Sequence, residues 1–197
     1  MTYNSDMTLS ALHKENPALD NQVFLGSKAY FLKKLYLSGM PVPPGFVIST
    51  EVSRRIDTIM HHPVIRQELE QLLSSQLKGL EKLTGRRYGD PANALLISVR
   101  SGTAISMPGA MDTFLNVGMN DEFTERLSKQ PNFAWTSWDC YRRLIQSWGM
   151  FHGIDRDVFD QIMIDFKEKH HVDLKLQFKP EVMREIAFSY KEVLKEN

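Results

Sequence analysis

Two short segments of the chain combine residue types that could bind a phosphate group. The first is Gly26-Ser27-Lys28, where small residues follow a short apolar run and a lysine opens a stretch with helical spacing. A helix N-terminus offers free N–H groups and a partial positive charge, to which a lysine adds a full charge. The spacing differs from that of a Walker A loop. On these residues alone, an ordinary helix start with a solvated lysine is the simpler interpretation.

The second segment is rich in small residues and runs from Ser98 to Thr113. In it Arg100 leaves an apolar strand, and a guanidinium is a rigid fork that suits phosphate oxygens. The glycines that follow, Gly109 among them, would allow the backbone to cradle an anion. Asp112 could ligate a metal ion, although such an aspartate more often satisfies N–H groups of its own loop. The residues leave a ligand site and a plain loop equally open.

An arginine doublet, Arg142-Arg143, lies within a predicted amphipathic helix at 133–152. Successive side chains on a helix point about 100° apart, so at most one of the two arginines should face a given ligand. A solvated arginine pair is the simpler interpretation of the doublet alone. The aromatic residues of the helix, Trp138, Tyr141 and Trp148, belong to its apolar stripe and are expected in the core.

Short elements in the first 120 residues must position the two phosphate-binding candidates. Residues 1–20 are expected to be irregular or peripheral. Beyond them the pattern predicts strands and helices that alternate along the chain. The strands are predicted at 23–25, 46–48 and 94–99, and the helices at 27–38 and 63–84, with Gly39 as the cap of the first helix.

Beyond about residue 121 the pattern becomes helical. Amphipathic helices are predicted at 133–152, 156–170 and 181–195. Gly153 and Asp155 are expected to cap two of them, and Pro180 fits the first turn of the third. We therefore predict an α+β fold in two parts: a mixed α/β part at 1–120, and a helical subdomain at 121–197.

Composition and charge argue against several classes of protein. The 197 residues carry 24 lysines and arginines against 24 aspartates and glutamates, whereas nucleic-acid-binding proteins usually have a basic excess. Cys140 is the only cysteine, so an internal disulfide framework is ruled out and a reduced, cytoplasmic setting is expected. No signal peptide or membrane-spanning run is recognised. No metal site is predicted, because His61-His62 and His170-His171 lack a third ligand at metal spacing.

Taken together, the motifs resemble those of one enzyme family in order and spacing. Residues 21–50 contain Gly26-Ser27-Lys28-Ala29 and, later, Gly-Met-Pro-Val-Pro-Pro-Gly-Phe. They are similar to the Gly-Gly-Lys-Gly…Gly-Leu-Pro-Val-Pro-Pro-Gly-Phe opening of the pyruvate phosphate dikinases. Residues 95–121 and 141–146 resemble the same family. Arg100-Ser101-Gly102 followed by Ser-Met-Pro-Gly resembles the dikinase form of a motif that reads Val-Arg-Ser-Ser-Ala in phosphoenolpyruvate synthases and rifampin phosphotransferases.

The resemblance implies an ATP-grasp-like nucleotide-binding fragment. The family converts ATP, phosphate and pyruvate into AMP, pyrophosphate and phosphoenolpyruvate, through a phosphohistidine on a separate swivelling domain. Lys28 and Arg100 match its catalytic, phosphate-binding lysine and arginine, and Gly109 matches the glycine of its phosphate-side loop. Arg143 matches a further basic residue of the cofactor site, although the doublet leaves Arg142 open. ATP and Mg²⁺ are the implied cofactors.

The same resemblance implies that other parts of the enzyme lie outside these 197 residues. They include the metal-binding acidic residues, the adenine side of the site, the phosphohistidine domain and the pyruvate-binding barrel. The chain alone is therefore expected to be inactive, and a homodimer is an expected assembly of the full-length protein. Two other interpretations stay open. One is a degenerate nucleotide-sensing or interaction module, suggested by Ser27 and Ala29 in place of glycines, and the other is a structural helical adaptor.

Overall fold

Helices and two small antiparallel sheets make up the computed structural model of the chain, which describes residues 9–17, 20–101 and 113–196. This mixture agrees with the predicted α+β class. Contacts between Cα atoms divide the chain into two units. The first contains Met1–Arg86 and Ser101–Met111, and the second contains Arg87–Arg100 and Asp112–Asn197. The domain boundary expected near residue 120 stays a prediction.

The first unit has one small sheet and five helices among its described residues. Strands β1 (Leu9–Ala11) and β2 (Phe46–Ile48) pair antiparallel, with Ser10 opposite Val47. The predictions of β2 and of the two helices at 27–38 and 63–84 are confirmed. The helices are α1 (Gln22–Leu25), α2 (Ser27–Leu37), α3 (Thr50–Arg54), α4 (Ile56–His61) and α5 (Pro63–Thr84).

At residues 9–11, strand β1 corrects the expectation that residues 1–20 are irregular or peripheral. The reason is a contact with a residue distant in sequence. The buried amine of Lys33, on α2, donates to the Ser10 hydroxyl and the Ala11 carbonyl, each at 3.3 Å, and forms an ion pair with Asp20. Because a buried charge is costly without such partners, these contacts fix β1 against α2.

The segment predicted as a strand at 23–25 is instead the short helix α1. Its N-cap is Asn21, whose side-chain oxygen accepts the N–H of Phe24 at 2.9 Å. Three apolar residues are too few for their spacing to distinguish a strand from a helix, and this cap favours the helix. Gly26, at φ 77°, then turns the chain into α2, which begins at Ser27.

The end of α2 has the predicted glycine cap. Gly39, at φ 80°, donates its N–H to the Tyr36 carbonyl at 2.9 Å. The N–H of Met40 donates to the Leu35 carbonyl at 3.0 Å. The two bonds form a Schellman motif, which needs the left-handed backbone conformation that glycine adopts without strain.

The second unit contains one strand pair and four helices among its described residues. Strands β3 (Ile97–Arg100) and β4 (Thr113–Val117) pair antiparallel, with Arg100 opposite Thr113. The three helices predicted beyond residue 121 are confirmed, and a further helix precedes them. The elements are α6 (Asp121–Ser128), α7 (Ala134–Phe151), α8 (Arg156–His170), a 3-10 turn at Lys175–Gln177, and α9 (Pro180–Glu196).

Two boundaries differ from the sequence-based expectation. The strand predicted at 94–99 begins only at Ile97. The N–H of Leu95 instead donates to the Arg87 carbonyl at 2.8 Å, in an isolated parallel β-bridge between Arg87 and Ala94. Thr113, expected in a loop, is the first residue of β4. The rest of that loop, 102–112, lies outside the described residues.

The core of the second unit lies where α6, α8 and α9 contact α7. Its most deeply buried large side chains are Phe123, Phe159, Met183, Ile186 and Tyr190. Burial of such side chains from several helices is the main stabilising contribution to a small unit of this kind. The caps predicted for these helices are confirmed at Gly153, Asp155 and Pro180.

The aromatic stripe of α7 is only partly in this core. Trp138 and Tyr141 are buried, as predicted. Trp148 is instead half exposed and contacts the Phe114 ring edge-on, with 5.9 Å between the ring centroids. Spacing alone places Trp148 on the apolar stripe, but β4 covers it only at the edge.

Within the described ranges, no helix combines the length and apolar character required to cross a bilayer.

Candidate functional site

Lys28, the lysine of the first predicted site, is the second residue of α2 and is exposed. The first intrahelical bond of α2 joins the N–H of Tyr30 to the Gly26 carbonyl at 3.0 Å. The first-turn N–H groups of a helix have no intrahelical acceptor, so this end carries a partial positive charge. The lysine amine therefore adds its charge to an end of the helix that already favours an anion.

The Lys28 side chain extends toward the segment that follows β3. Its amine donates to the carbonyl of Ser101 at 3.4 Å. Ser101 belongs to the same unit as Lys28 and is the residue after Arg100 in the chain. This hydrogen bond is long and exposed, so its net contribution to stability is small. An anion could therefore replace the Ser101 carbonyl as the partner of the Lys28 amine at little cost in free energy.

Arg100 lies where the sequence predicts it, at the carboxyl end of a strand. It is the last residue of β3, it pairs with Thr113 of β4, and it is exposed. Within the described part of the chain its guanidinium has no ion-pair partner. Five N–H donors thus remain for a ligand, in the planar arrangement that suits phosphate. Gly109 and Asp112 lie outside the described residues.

The arginine doublet separates into one buried and one exposed residue. The Arg142 side chain is 7% exposed, and its Nε and Nη2 donate to Asp139 Oδ1 at 3.2 and 2.9 Å. Its Nη1 donates to Gln146 at 3.1 Å, and its guanidinium lies 5.2 Å from the centre of the Tyr190 ring. The simpler interpretation, a solvated pair, is therefore wrong for Arg142. The Arg143 side chain is 54% exposed.

Asp139 is the carboxylate around which the basic residues of α7 gather. Arg143 Nε lies 3.3 Å from its Oδ2, and Lys175 Nζ lies 3.1 Å from both of its oxygens. Burial, the largest single effect, would raise the pKa of Asp139. Hydrogen bonds and charge attraction from Arg142 and Lys175 together outweigh burial and hold that pKa below its ordinary value. Asp139 is therefore an anion at neutral pH in the folded protein.

A second, partly buried contact stabilises α7 near the doublet. The Tyr141 hydroxyl donates to Asp121 at 2.6 Å, and Lys191 forms an ion pair with the same carboxylate. Burial would raise the pKa of Asp121, but the bonds from Lys191 and Tyr141 lower it overall. Burial and the bond to Asp121 raise the pKa of Tyr141, so its hydroxyl stays protonated and serves as a donor. These contacts hold α7 against α6 and α9.

Neither Asp139 nor Lys175 is among the site residues predicted from the sequence. Asp139 precedes the arginines by three and four positions, a spacing at which opposite charges on a helix meet, so that signal was present. Lys175 follows Asp139 by 36 positions, and only the fold brings them together. Among the described residues, no group of three or more His, Cys, Asp and Glu could hold a metal ion.

Comparisons with known proteins agree on one family. No protein-family model matches the chain. The pyruvate, phosphate dikinase of Clostridium symbiosum is 34% identical over 173 residues, which are 87% of this chain and 20% of that protein. The dikinase of Giardia intestinalis is 35% identical over 170 residues, or 86% of this chain and 19% of that protein. The dikinase of Entamoeba histolytica is 35% identical over 168 residues, or 85% and 19%.

These relatives are pyruvate, phosphate dikinases, a family of phosphotransferases. The chain is related to the pyruvate, phosphate dikinase family over most of its own length, and the resemblance of its motifs is confirmed. It spans about a fifth of the length of the curated relatives that it matches.

Proposed function

We propose that the chain is the ATP-binding, N-terminal portion of a pyruvate, phosphate dikinase, with an ATP-grasp-like nucleotide site. The whole protein would convert ATP, phosphate and pyruvate into AMP, pyrophosphate and phosphoenolpyruvate through a phosphohistidine on a domain outside this chain. The observation that carries the proposal is the match to dikinases over 87% of the chain. The positions of Lys28 at a helix start and Arg100 at a strand end support it.

In this proposal the basic residues bind and orient the ATP phosphates. Lys28 would act with the N-terminal end of α2, and the Arg100 fork would contact two oxygens of a phosphate group. Gly109 would bring the backbone close to the phosphates, and Arg143 would be a further basic residue of the site. Such groups neutralise the charge of the transferring phosphoryl, which is the main contribution a protein makes to this reaction.

The metal ion and the remaining steps would involve parts of the protein outside the described residues. Mg²⁺, when bound with ATP, neutralises phosphate charge, and its carboxylate ligands would come from elsewhere in the full-length protein. The phosphohistidine and pyruvate-binding domains would be the partners of this chain, and the full-length protein would be a homodimer. The chain alone would not turn over ATP. Its single cysteine, Cys140, supports a reducing, cytoplasmic setting.

A degenerate nucleotide-sensing or interaction module is the alternative function. The observation that favours it is the turn Gly26-Ser27-Lys28-Ala29, in which Ser27 and Ala29 stand where the family has glycines. Such a protein would bind nucleotide without catalysing transfer. In the full-length protein, pyruvate-dependent formation of AMP from ATP would exclude this alternative.

Calorimetric titration of the chain with Mg-ATP tests the ATP-binding proposal. Saturable binding is expected, and Lys28→Ala and Arg100→Ala should each weaken it about tenfold or more, since each removes a charged contact to phosphate. Lys78→Ala and Arg126→Ala, which remove exposed charges from α5 and α6, serve as matched controls and should leave the affinity unchanged. An affinity unaffected by both site variants, or an absence of binding to the wild-type chain, would contradict ATP binding by these residues in this chain.

A further inference from the structure

Three cationic side chains surround one buried carboxylate in the second unit. Asp139 is in contact with Arg142, Arg143 and Lys175. In the described part of the chain, it is the only carboxylate that forms an ion pair with any of these three cations. One negative charge therefore faces three positive charges, and the cluster keeps an excess of positive charge.

The excess charge lies on the two side chains that reach solvent. Arg142 is buried and all three nitrogens of its guanidinium have protein partners. Arg143 and Lys175 are 54% and 39% exposed, and both contact the same carboxylate oxygen, Oδ2, at 3.3 and 3.1 Å. Their two charges are thus held side by side at the surface. Like charges repel at this distance, and the shared carboxylate is what keeps them together.

The unfilled donors of this pair suit an anion with several oxygens. Arg143 forms an ion pair with Asp139 through Nε, and its Nη2 lies 4.0 Å from the Cys140 sulfur, which is a weak contact. Among the described residues its guanidinium has no other partner. Its Nη groups and one hydrogen of the Lys175 ammonium remain for a ligand. A planar fork beside a compact ammonium matches adjacent phosphate oxygens.

The turn that carries Lys175 is fixed before any ligand binds. The Gln177 side chain accepts the N–H groups of Asp173 and Leu174 at 3.1 and 2.7 Å, which closes the turn. The Lys175 ammonium also lies 5.6 Å from the centre of the Trp135 ring. Because the lysine is already ordered, binding an anion would cost little conformational entropy.

We propose that Arg143 and Lys175 form a two-cation subsite for a phosphoanion, and that the buried Asp139 positions both of them. The ligand class is a di- or polyphosphate, either the phosphate chain of a nucleotide or free pyrophosphate. The inference rests on the proposed function in one respect, since Arg143 is already a basic residue of the ATP site there. Lys175 and Asp139 are new members, and Asp139 acts through the two cations without touching the ligand.

Titration of ¹⁵N-labelled chain with pyrophosphate, followed by NMR, tests the subsite directly. The Arg143 Nε–H signal and the Trp135 indole signal should shift with saturation. Lys175→Met should raise the dissociation constant about fivefold or more, because it removes one of the two charged contacts. Lys179→Met, which removes an exposed lysine four positions later, should change it less than about twofold. Lys175→Arg should restore most of the affinity.

A second variant separates positioning from plain charge neutralisation. Asp139→Asn adds net positive charge to the cluster. If Asp139 only neutralised charge, the variant would bind pyrophosphate more tightly, whereas positioning predicts weaker binding. Tighter binding by Asp139→Asn would overturn the positioning role. Should this variant fail to fold, the lysine series still decides the subsite. A Lys175→Met variant with a lower unfolding temperature and unchanged pyrophosphate affinity would show that the lysine is only structural.

Parallel titrations with Mg-ATP, inorganic phosphate and adenosine distinguish the ligand sources and separate the two proposals. Weakening of both Mg-ATP and pyrophosphate by Lys175→Met would identify a nucleotide phosphate chain as the ligand. Weakening of pyrophosphate alone would identify free pyrophosphate. If Lys28→Ala and Arg100→Ala abolish Mg-ATP binding while Lys175→Met changes neither ligand, the subsite is refuted and the proposed function survives. If Lys175→Met and Arg143→Met weaken pyrophosphate binding while Lys28→Ala and Arg100→Ala leave the Mg-ATP affinity unchanged, the subsite survives and ATP binding by Lys28 and Arg100 fails.

Discussion

The two adjacent arginines of α7 should differ sharply in their contribution to stability. We consider the substitutions Arg142→Met and Arg143→Met, which each remove one charge and keep most of the aliphatic side chain. The Arg142 guanidinium has charged and polar partners in Asp139 and Gln146 and lies over the Tyr190 ring. Arg143 contributes one contact to Asp139 at 3.3 Å from a half-exposed side chain.

The expected magnitudes follow from burial. Removing one partner of a buried ion pair costs about 3–5 kcal/mol, because the remaining charge is left without compensation. Asp139 keeps Lys175 as a second partner at 3.1 Å, so Arg142→Met should cost about 3 kcal/mol, the lower end of that range. An exposed ion pair contributes about 0–1 kcal/mol, which is the expected cost of Arg143→Met.

Urea unfolding followed by tryptophan fluorescence measures this difference in the relevant unit. Trp135, Trp138 and Trp148, the three tryptophans of the chain, all belong to the second unit, so their emission reports on that unit alone. With an m-value of about 2 kcal/mol/M, the unfolding midpoints of the two variants should differ by about 1 M urea. Equal midpoints, or a larger loss for Arg143→Met, would refute the assignment of Arg142 as the structural arginine of the doublet.

Two further predictions concern acid stability and packing. Folding lowers the pKa values of Asp121 and Asp139 from 3.8. Both carboxylates therefore stabilise the folded chain at a pH above 3.8. This stabilisation is lost as the pH falls through the lowered pKa values. When the unfolding free energy is measured from pH 6 to pH 2, it should therefore fall less steeply below pH 3.8 in Asp139→Asn than in the wild-type chain. An unchanged slope would contradict the contribution of Asp139 to acid stability. At Gly149 an added Cβ would lie 2.6 Å from the Phe159 ring, so Gly149→Ala should destabilise the chain by about 1–3 kcal/mol. Gly79→Ala, whose Cβ would have no neighbour within 4 Å, should instead stabilise α5 by about 1 kcal/mol in chemical denaturation followed by circular dichroism.

Elements with several helical turns could be predicted from the sequence, and short ones could not. Helix α5 agrees at both ends because its apolar period continues for 22 residues and Gly85 ends it. Strand β1 is three residues long and depends on Lys33, which is 23 positions from Ser10. Helix α1 depends on the Asn21 cap and not on any period. Local pattern thus determined the long helices, while distant or side-chain contacts determined the rest.

The residues of the candidate site show the same difference between what local pattern predicts and what depends on distant contacts. Lys28 and Arg100 became candidates because each lies at the start or end of an element, but the residues alone left a solvated lysine and a plain loop open, and only the family resemblance assigned them a role. The separation of Arg142 from Arg143 was not recognisable, because it depends on burial against Asp139 and Tyr190. Their spacing predicted only that one of the two would face away from any given ligand.

The unusual turn before α2 is less of a departure from the dikinase pattern than the sequence implies. Of its four residues only Gly26 has a positive φ, at 77°, and there a side chain would be strained. Ser27 and Ala29, which stand where the family has glycines, are already within α2, where L-residues with side chains are unstrained. The Ser27 hydroxyl accepts a hydrogen bond from Gln22 at 3.0 Å, which holds the turn without a second glycine. The two replacements therefore weigh less in favour of a sensing module than the sequence alone suggests, and pyruvate-dependent formation of AMP by the full-length protein is the property that decides between the two functions.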